Sequence, residues 1–459
     1  MSGNNSFNQE AKNLTITVVD SAKYGMNAEA SAMLSALCSR SKDGPRANLE
    51  KVMREGADKF MSTYLIGYGH DSIGKCSSSK VFITGISMIA INHLQNLNPL
   101  YAGQESSTRY IPFSAENVVI PESIQAHPDA LETYLRITDI LMATYTRVLD
   151  RVYDSLMANL EKPDDVSDAK WEATVRPRSF DICRSLLPSG LKTVGVWDGN
   201  LENFRQVIGI LANHSNLEVR QMASDILEAM LAEYPSSFTV KDAASNDWLT
   251  KHSGFLLNDD GSVPEGLISL NLNTLDVDGL DSYTRDLKLW ERPRHARLPD
   301  DIGHYGRASF AYSIDFGGFR DLNRHRKGNI RRSLMEAGTL HSWYREQFAN
   351  AGVYDDVNVI LGEVHAAASQ LRALGIPSED IEYMLPMGSL VDVEASYPID
   401  NAVYVAELRS GVNCHATVRE VAINMGNALA TFCNFPLYIN RKGNDVLDTR
   451  RAEQTIIKK

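Results

Sequence analysis

A set of short segments recurs in the same order in the two halves of this chain, and that recurrence limits its fold more than any composition figure. Gly69-His70 returns as Gly303-His304, and the apolar run from Val81 to Leu97 returns as Phe310 to Asn323. Leu186-Leu187-Pro188-Ser189-Gly190 returns as Met384-Leu385-Pro386-Met387-Gly388, and Val219-Arg220-Gln221-Met222-Ala223 as Val418-Arg419-Glu420-Val421-Ala422. Each echo is short, but the shared order points to one unit used twice. The expected division is a first repeat over residues 1–240, a linker over 241–265 rich in Asn, Asp, Ser, Gly and Lys, and a second repeat over 266–459. A longer helical insertion between about Ser114 and Glu172 distinguishes the first copy.

Periodicity fills in the elements. Leu14 to Val19 alternates like a strand with one buried face, and Gly266 to Leu275 is again strand-like. Helices are expected over about Glu29 to Cys38, Asn48 to Leu65, Ala130 to Leu160 and Asp168 to Leu187, with one long helix or two in succession from Leu201 to Tyr234. Glycines break the second of these at Gly67-Tyr68-Gly69-His70-Asp71-Ser72. The runs Val81 to Leu97 and Phe310 to Asn323 are apolar on most faces and read as central helices, the first stopped by Pro99. Ile111-Pro112-Phe113 reads as extended.

The chain has 459 residues, 43% of them hydrophobic, enough for two to three domains with sizeable cores. A formal net charge of −12 argues against a general binder of nucleic acid or acidic membranes, yet allows an anionic small molecule held by a few arginines. The five cysteines, Cys38, Cys76, Cys183, Cys414 and Cys433, are scattered without a Cys-x-x-Cys pair, so neither a disulfide framework nor a metal site is expected. No basic region precedes an apolar run at the start, and no stretch is long enough to span a bilayer, so the expected setting is the cytoplasm.

Two stretches carry the chemistry. Asn323-Arg324-His325-Arg326-Lys327-Gly328-Asn329-Ile330-Arg331-Arg332 concentrates forked, permanently charged donors that match phosphate or carboxylate oxygens; a solvated basic face is the alternative. Far upstream, Tyr101-Ala102-Gly103-Gln104-Glu105-Ser106-Ser107-Thr108-Arg109-Tyr110 offers a turn in which backbone N–H groups, a hydroxyl and an arginine can converge on one phosphate. An ordinary polar turn with an internal Glu and Arg pair is its alternative.

Taken in order, Gly-His, apolar run, Arg-His-Arg and Glu-x-Ser-x-Arg-Tyr, the chain resembles the flavin-dependent thymidylate synthase family, whose signature joins Arg-His-Arg to a Ser seven residues on and, in longer form, to Glu-x-Ser-x-Arg-Tyr. Neither copy has it whole. The second keeps Arg324-His325-Arg326 but has Leu334 where Ser is due; the first keeps Glu105 to Tyr110 but has Leu97-Asn98-Pro99 where Arg-His-Arg is due. The resemblance implies an α+β fold, two tandem domains each with a small sheet packed against long helices. It makes Arg324, His325 and Arg326 flavin contacts, with Arg409, Asn413, His415, His70 and Ser72 as further cofactor residues. It makes Glu105, Ser106, Ser107, Thr108 and Arg109 the nucleotide turn, and Arg220 a substrate-facing catalytic residue; the first copy's counterparts of Arg409 and Asn413 read as Ile210 and His214. For His214 and His415 taken alone, a satisfied structural role is the plainer reading. Where the family has an arginine after the Leu-Pro turn, this chain has Val194 and Asp392, with Arg331 or Arg332 as conceivable replacements.

The implied activity is transfer of a one-carbon unit to C5 of a pyrimidine deoxynucleotide such as dUMP, with FAD as cofactor and methylenetetrahydrofolate and NADPH as co-substrates. No protein nucleophile is needed. Family members are homotetramers, so a tandem chain implies a homodimer of four-domain pseudo-symmetry, each site taking its flavin wall from one copy and its phosphate turn from the other. Asp392 invites a variant acting on another nucleotide or transferring another group, such as hydroxymethyl; a non-catalytic nucleotide-binding scaffold is the remaining alternative.

Overall fold

The computed structural model describes residues 21–37, 41, 44–106, 117–252, 268–272, 274–294, 296–443 and 446–449. They form two compact units. One draws on the described residues of 1–83, 100–104 and 195–254, the other on those of 84–99, 105–194 and 255–459. Compactness thus follows a different partition from chain order. The reason is visible in the second unit, where Tyr134, Ile137 and Leu141 of the helix Pro128–Asn159 share a core with Val364, Ala367 and Leu371 of the helix Tyr354–Ala373.

The protein is α+β, with small antiparallel sheets among helices. Strands β1 (Ser79–Ser87), β2 (Ala102–Glu105) and β3 (Lys192–Gly199) form a sheet in the order β1-β3-β2. Strands β4 (Ser269–Asn271), β5 (Arg307–Asp315), β6 (Asn329–Arg332) and β7 (Leu390–Pro398) form another in the order β4-β5-β7-β6. β7 is central, paired antiparallel with β5 from Arg307 opposite Pro398 to Asp315 opposite Leu390, and with β6 from Asn329 opposite Ser396 to Arg332 opposite Val393. Its alternating burial is the period-two signature of a strand.

The apolar runs expected as single helices are each a strand followed by a helix: β1 then Met88–Leu97, and β5 then Phe316–Leu322. The switch lies at one small polar residue. Ser87 and Asp315 keep extended backbone while their side chains accept the N–H of Ala90 and Gly318, capping the first turn. A continuous apolar run cannot separate buried strand from buried helix by period alone. The expected helix from Asn48 to Leu65 is likewise divided, with Pro45–Glu55 ending at Gly56, whose φ of 70° stops it, before Asp58–Met61 and a π-turn over Ser62–Gly67. Leu201–Leu211 and Leu217–Glu233 are separate helices. Ala28–Leu37, Pro128–Asn159 and Asp168–Cys183 form helices as expected, with Cys38 itself outside the described residues, and the Gly266 to Leu275 strand shrinks to β4. Leu14 to Val19 and Ile111-Pro112-Phe113 lie outside the described residues.

Inside the second unit the two Leu-Pro turns face each other. Ser189 N–H donates to the Leu385 carbonyl at 2.8 Å and Met387 N–H to the Leu187 carbonyl at 2.9 Å; Gly190 N–H reaches Tyr383 at 2.7 Å and Gly388 N–H reaches Ser185 at 2.8 Å. The approach leaves no room for a side chain. A Cβ on Gly190 would stand 2.8 Å from the Tyr383 carbonyl oxygen, and one on Gly388 2.9 Å from that of Ser185.

Candidate functional site

The helix Phe316–Leu322 gives way at Asn323, and Arg324-His325-Arg326 occupies the turn leading into β6. Gly328 keeps that turn against β7. A Cβ there would lie 2.1 Å from Cδ1 of the Tyr397 ring and 2.7 Å from the Ser396 carbonyl oxygen. His325 is buried, and its Nε2 accepts a hydrogen bond from Arg409 Nε at 2.8 Å. Burial, followed by the charges of Arg409 and Arg326, pushes its pKa down to about 3, so the imidazole is neutral with its proton on Nδ1. The ring stands edge-on to Tyr404, centroids 5.9 Å apart, and the Arg297 guanidinium lies over the same tyrosine at 4.4 Å. Arg326 is half-buried, whereas Arg324 is exposed beside Asp321 at 3.7 Å. Lys327 joins Asp300 and Asp400 at 2.9 and 2.5 Å, fixing the far side of the turn.

Tyr404 also lines a cavity of about 320 Å³ together with Arg292, Arg294, Arg297, Asn413 and Tyr438. Arg292 is fixed in its wall by both carboxylate oxygens of Glu407 and by the carbonyls of Ala296 and Pro436, each at 2.7 Å. Sequence reading missed this arginine loop. Its signal was three arginines within six positions, Arg292, Arg294 and Arg297, just ahead of Gly303-His304.

The nucleotide turn is described at Glu105 and Ser106; Ser107, Thr108 and Arg109 lie outside the described residues. The Glu105 carboxylate is buried in an ion pair with Arg320, side chains 3% and 10% exposed, and Gln95 Nε2 donates to its other oxygen at 3.4 Å. Arg320 belongs to the helix that ends at Arg324-His325-Arg326. Ser106 N–H donates to Val194 at 2.9 Å, and in the other sheet Ser333 N–H donates to Asp392 at 2.8 Å. Arg332 therefore stands where Glu105 stands. It is fully buried and bidentate to Glu382 at 2.7 and 3.0 Å, with the Phe316 ring 5.1 Å away. Arg332 is thus committed to an internal pair and does not replace the arginine missing at Asp392; Arg331 is exposed on β6.

The remaining residues fall in several places. Asn413 is exposed at the cavity wall. His415 is buried away from His325 as the N-cap of Ala416–Leu429, its ring against Trp343 and Tyr344, with Thr417 at 2.9 Å from Nδ1 and the Asp181 carbonyl at 3.3 Å from Nε2. Burial pushes its pKa down to about 4. That is an architectural position. Arg220, His70 and Ser72 belong to the other compact unit. Arg220 Nη1 donates to the carbonyls of His214 and Ser215 at 2.6 and 2.7 Å, and its other N–H groups donate to no described residue. Its counterpart Arg419 is buried, tied to the carbonyls of Ser410 at 3.0 Å and Lys442 at 2.6 Å. Arg409 closes its helix as Leu211 closes Leu201–Leu211, one position past Ile210. His70 and Ser72 are exposed, with the His70 ring 6.1 Å from Tyr64 and 5.9 Å from Tyr68.

Among the described residues no group of three or more His, Cys, Asp or Glu could hold a metal ion, and no helix is long and apolar enough to cross a membrane. The second unit thus gathers arginines around a neutral histidine and two tyrosines, a donor set whose shape and charge suit a planar anion. Residues 22–236 match the family model described as thymidylate synthase complementing protein. The flavin-dependent thymidylate synthase of Mycolicibacterium gilvum is 27% identical over 177 residues, covering 38% of this chain and 66% of that protein. That of Mycobacteroides abscessus is 28% identical over 193 residues, covering 42% and 73%. A UPF0159 protein of Chlamydia muridarum is 22% identical, with 83% of this chain and 80% of that protein covered. The chain is similar to the flavin-dependent thymidylate synthase family. It spans 66% of the length of the Mycolicibacterium relative.

Proposed function

We propose that the protein is a flavin-dependent enzyme that transfers a one-carbon unit to C5 of a pyrimidine deoxynucleotide such as dUMP, with FAD as cofactor and methylenetetrahydrofolate and NADPH as co-substrates. The observation that carries this reading is the buried Glu105–Arg320 pair. It joins Glu105, the residue that opens Glu-x-Ser-x-Arg, to the helix that leads into Arg-His-Arg, so residues far apart in the chain are tied within one compact unit. The matching strand orders and the reciprocal Leu-Pro turns support descent from a duplicated domain, with repeats at 1–240 and 266–459.

The residues fit a flavin in donor type. Arg324, Arg326, Arg409 and Asn413 would hold it, and a cavity of about 320 Å³ suits a ring system or a pyrophosphate rather than a whole dinucleotide. When bound, a reduced flavin supplies hydride. Arg326 and Arg409 offer fixed positive charge, while His325, held neutral, can donate from Nδ1 without adding to it. Ser107 and Arg109 would grip the nucleotide phosphate, and Arg220 would favour negative charge developing on the pyrimidine. Burial pushes the Cys433 thiol up to about 12 and the Cys183 thiol higher still, so neither of these two suits a nucleophile. The working assembly would be a homodimer with four-domain pseudo-symmetry.

Purified protein is expected to carry flavin absorption that disappears in Arg326→Ala, and to release tritium from C5-labelled dUMP in the presence of folate and reductant. A colourless protein that binds no added flavin points instead to a nucleotide-binding scaffold. A flavoprotein inert toward dUMP points to another nucleotide or transferred group, the reading favoured by Asp392 and by the commitment of Arg332 to Glu382.

A further inference from the structure

The arginine loop beside Tyr404 has charge that the rest of the site does not use. Along the cavity wall, Arg292 is neutralised by Glu407, and Asp400 by Lys327. Arg294 and Arg297 are exposed at the same cavity and have no carboxylate partner among the described residues. In a chain whose formal net charge is −12, two uncompensated arginines three positions apart run against the overall field. Asp448, near the end of the described chain, is the other acid on this wall.

The loop is also restrained. Its anchor Arg292 is over nine-tenths buried and holds the carbonyl of Ala296, which fixes the backbone next to Arg297. Arg297 lies over Tyr404, its guanidinium carbon 4.4 Å from the ring centroid, and the same tyrosine meets His325 at its edge, so the guanidinium is held next to the Arg324-His325-Arg326 turn. A stacked, planar guanidinium still presents N–H donors along its rim, the geometry that suits phosphate oxygens. Asn413, a neutral donor and acceptor, stands on the wall with them.

We propose that Arg294 and Arg297 form an anion-binding site for the phosphate or pyrophosphate of a phosphorylated planar heterocycle, continuous with the His325–Arg409 cluster. The inference rests on the proposed flavin and nucleotide chemistry for its choice of ligand, and it adds two cationic residues from a loop outside every signature segment. Two sources supply such a group, the pyrophosphate of a dinucleotide flavin and the phosphate of the nucleotide substrate.

The test is equilibrium binding of FAD, FMN and dUMP to the full chain, with inorganic pyrophosphate as competitor, in wild type, Arg294→Gln, Arg294→Ala/Arg297→Ala and Arg326→Ala. Each arginine removed is expected to weaken the affected ligand about tenfold, to reduce the salt dependence of its binding, and to lessen competition by pyrophosphate. Loss for FAD with FMN and dUMP little changed assigns the site to the cofactor pyrophosphate; loss for dUMP with flavins unchanged assigns it to the substrate. Arg294→Gln, at an exposed side chain, reads the effect alone where the double variant melts early. If every ligand binds the folded variants within about twofold of wild type, and pyrophosphate competes as before, the site does not exist. Should Arg326→Ala keep its flavin while the arginine-loop variants lose a ligand, the site stands and the Arg326 flavin wall falls.

Discussion

Glu105 and Arg332 hold the same place in two similar strand arrangements and carry opposite charges. Each ends an edge strand paired with a central one, and each precedes a serine whose N–H donates to that central strand. Both side chains are buried, and an unpaired buried charge is costly enough that each has a partner. The partners differ in origin. Arg332 takes Glu382 from the turn ahead of β7, making a bidentate pair with 0% and 2% side-chain exposure. Glu105 reaches Arg320 on the helix leading to Arg324-His325-Arg326. Beside β6 the buried pair is an internal clamp; beside β2 it ties Glu105 to the helix leading into Arg324-His325-Arg326. Neither position could change sign without its partner.

The largest expected effects break this comparison directly. Arg332→Ala leaves Glu382 buried and unpaired and should lower unfolding free energy by about 3–5 kcal/mol, whereas Arg332→Met with Glu382→Leu should lose much less; equal losses in urea unfolding would remove the clamp reading. Arg320→Met with Glu105→Gln should cost less stability than Arg332→Ala, yet weaken nucleotide binding, which the Arg332 double variant leaves intact. A smaller effect separates the two helix caps. His415 caps Ala416–Leu429 where Asn216 caps Leu217–Glu233. Because burial lowers the His415 pKa to about 4 from an ordinary 6.5, the unfolded chain takes up its proton first; this stability is present above pH 6.5 and lost as pH falls through 4. Its slope is about 1.4 kcal/mol per pH unit. His415→Asn, which gives both helices the same cap residue, should flatten the acid limb of the stability curve measured by thermal melts from about pH 7.5 to 4.5. His214 and His325, lowered to about 4 and about 3, leave the remaining slope with the same sign. The smallest effect is expected for Ser87→Ala, about 1 kcal/mol for a lost cap; Asp315→Ala should exceed it, since that carboxylate also accepts the Tyr344 hydroxyl at 3.0 Å.

What the sequence made legible was local. The Leu-Pro-x-Gly turns, the helix breaks and the Arg-His-Arg run announce themselves through residues whose constraints act within a few positions, and their order carries the family resemblance. The strands β1 and β5 hid inside apolar runs because the apolar sequence continues without a break from strand into helix, and Ser87 and Asp315 mark the change. Pairings at long range were illegible. Arg332 read as an available cation until Glu382 was seen against it, and nothing near Glu105 in the chain announces Arg320. Arg294 and Arg297 went unread because a loop arginine has no period; only the cavity they share with Tyr404 gives them meaning.

The reciprocal hydrogen bonds between Leu187-Pro188-Ser189 and Leu385-Pro386-Met387 have a further effect on how this protein can vary. Where identical subunits meet about a two-fold axis, any amino-acid change is imposed on both sides of the seam simultaneously. With the seam closed inside a single polypeptide, Pro188 and Pro386 answer to separate codons, and one face can be retuned while its mate stays fixed.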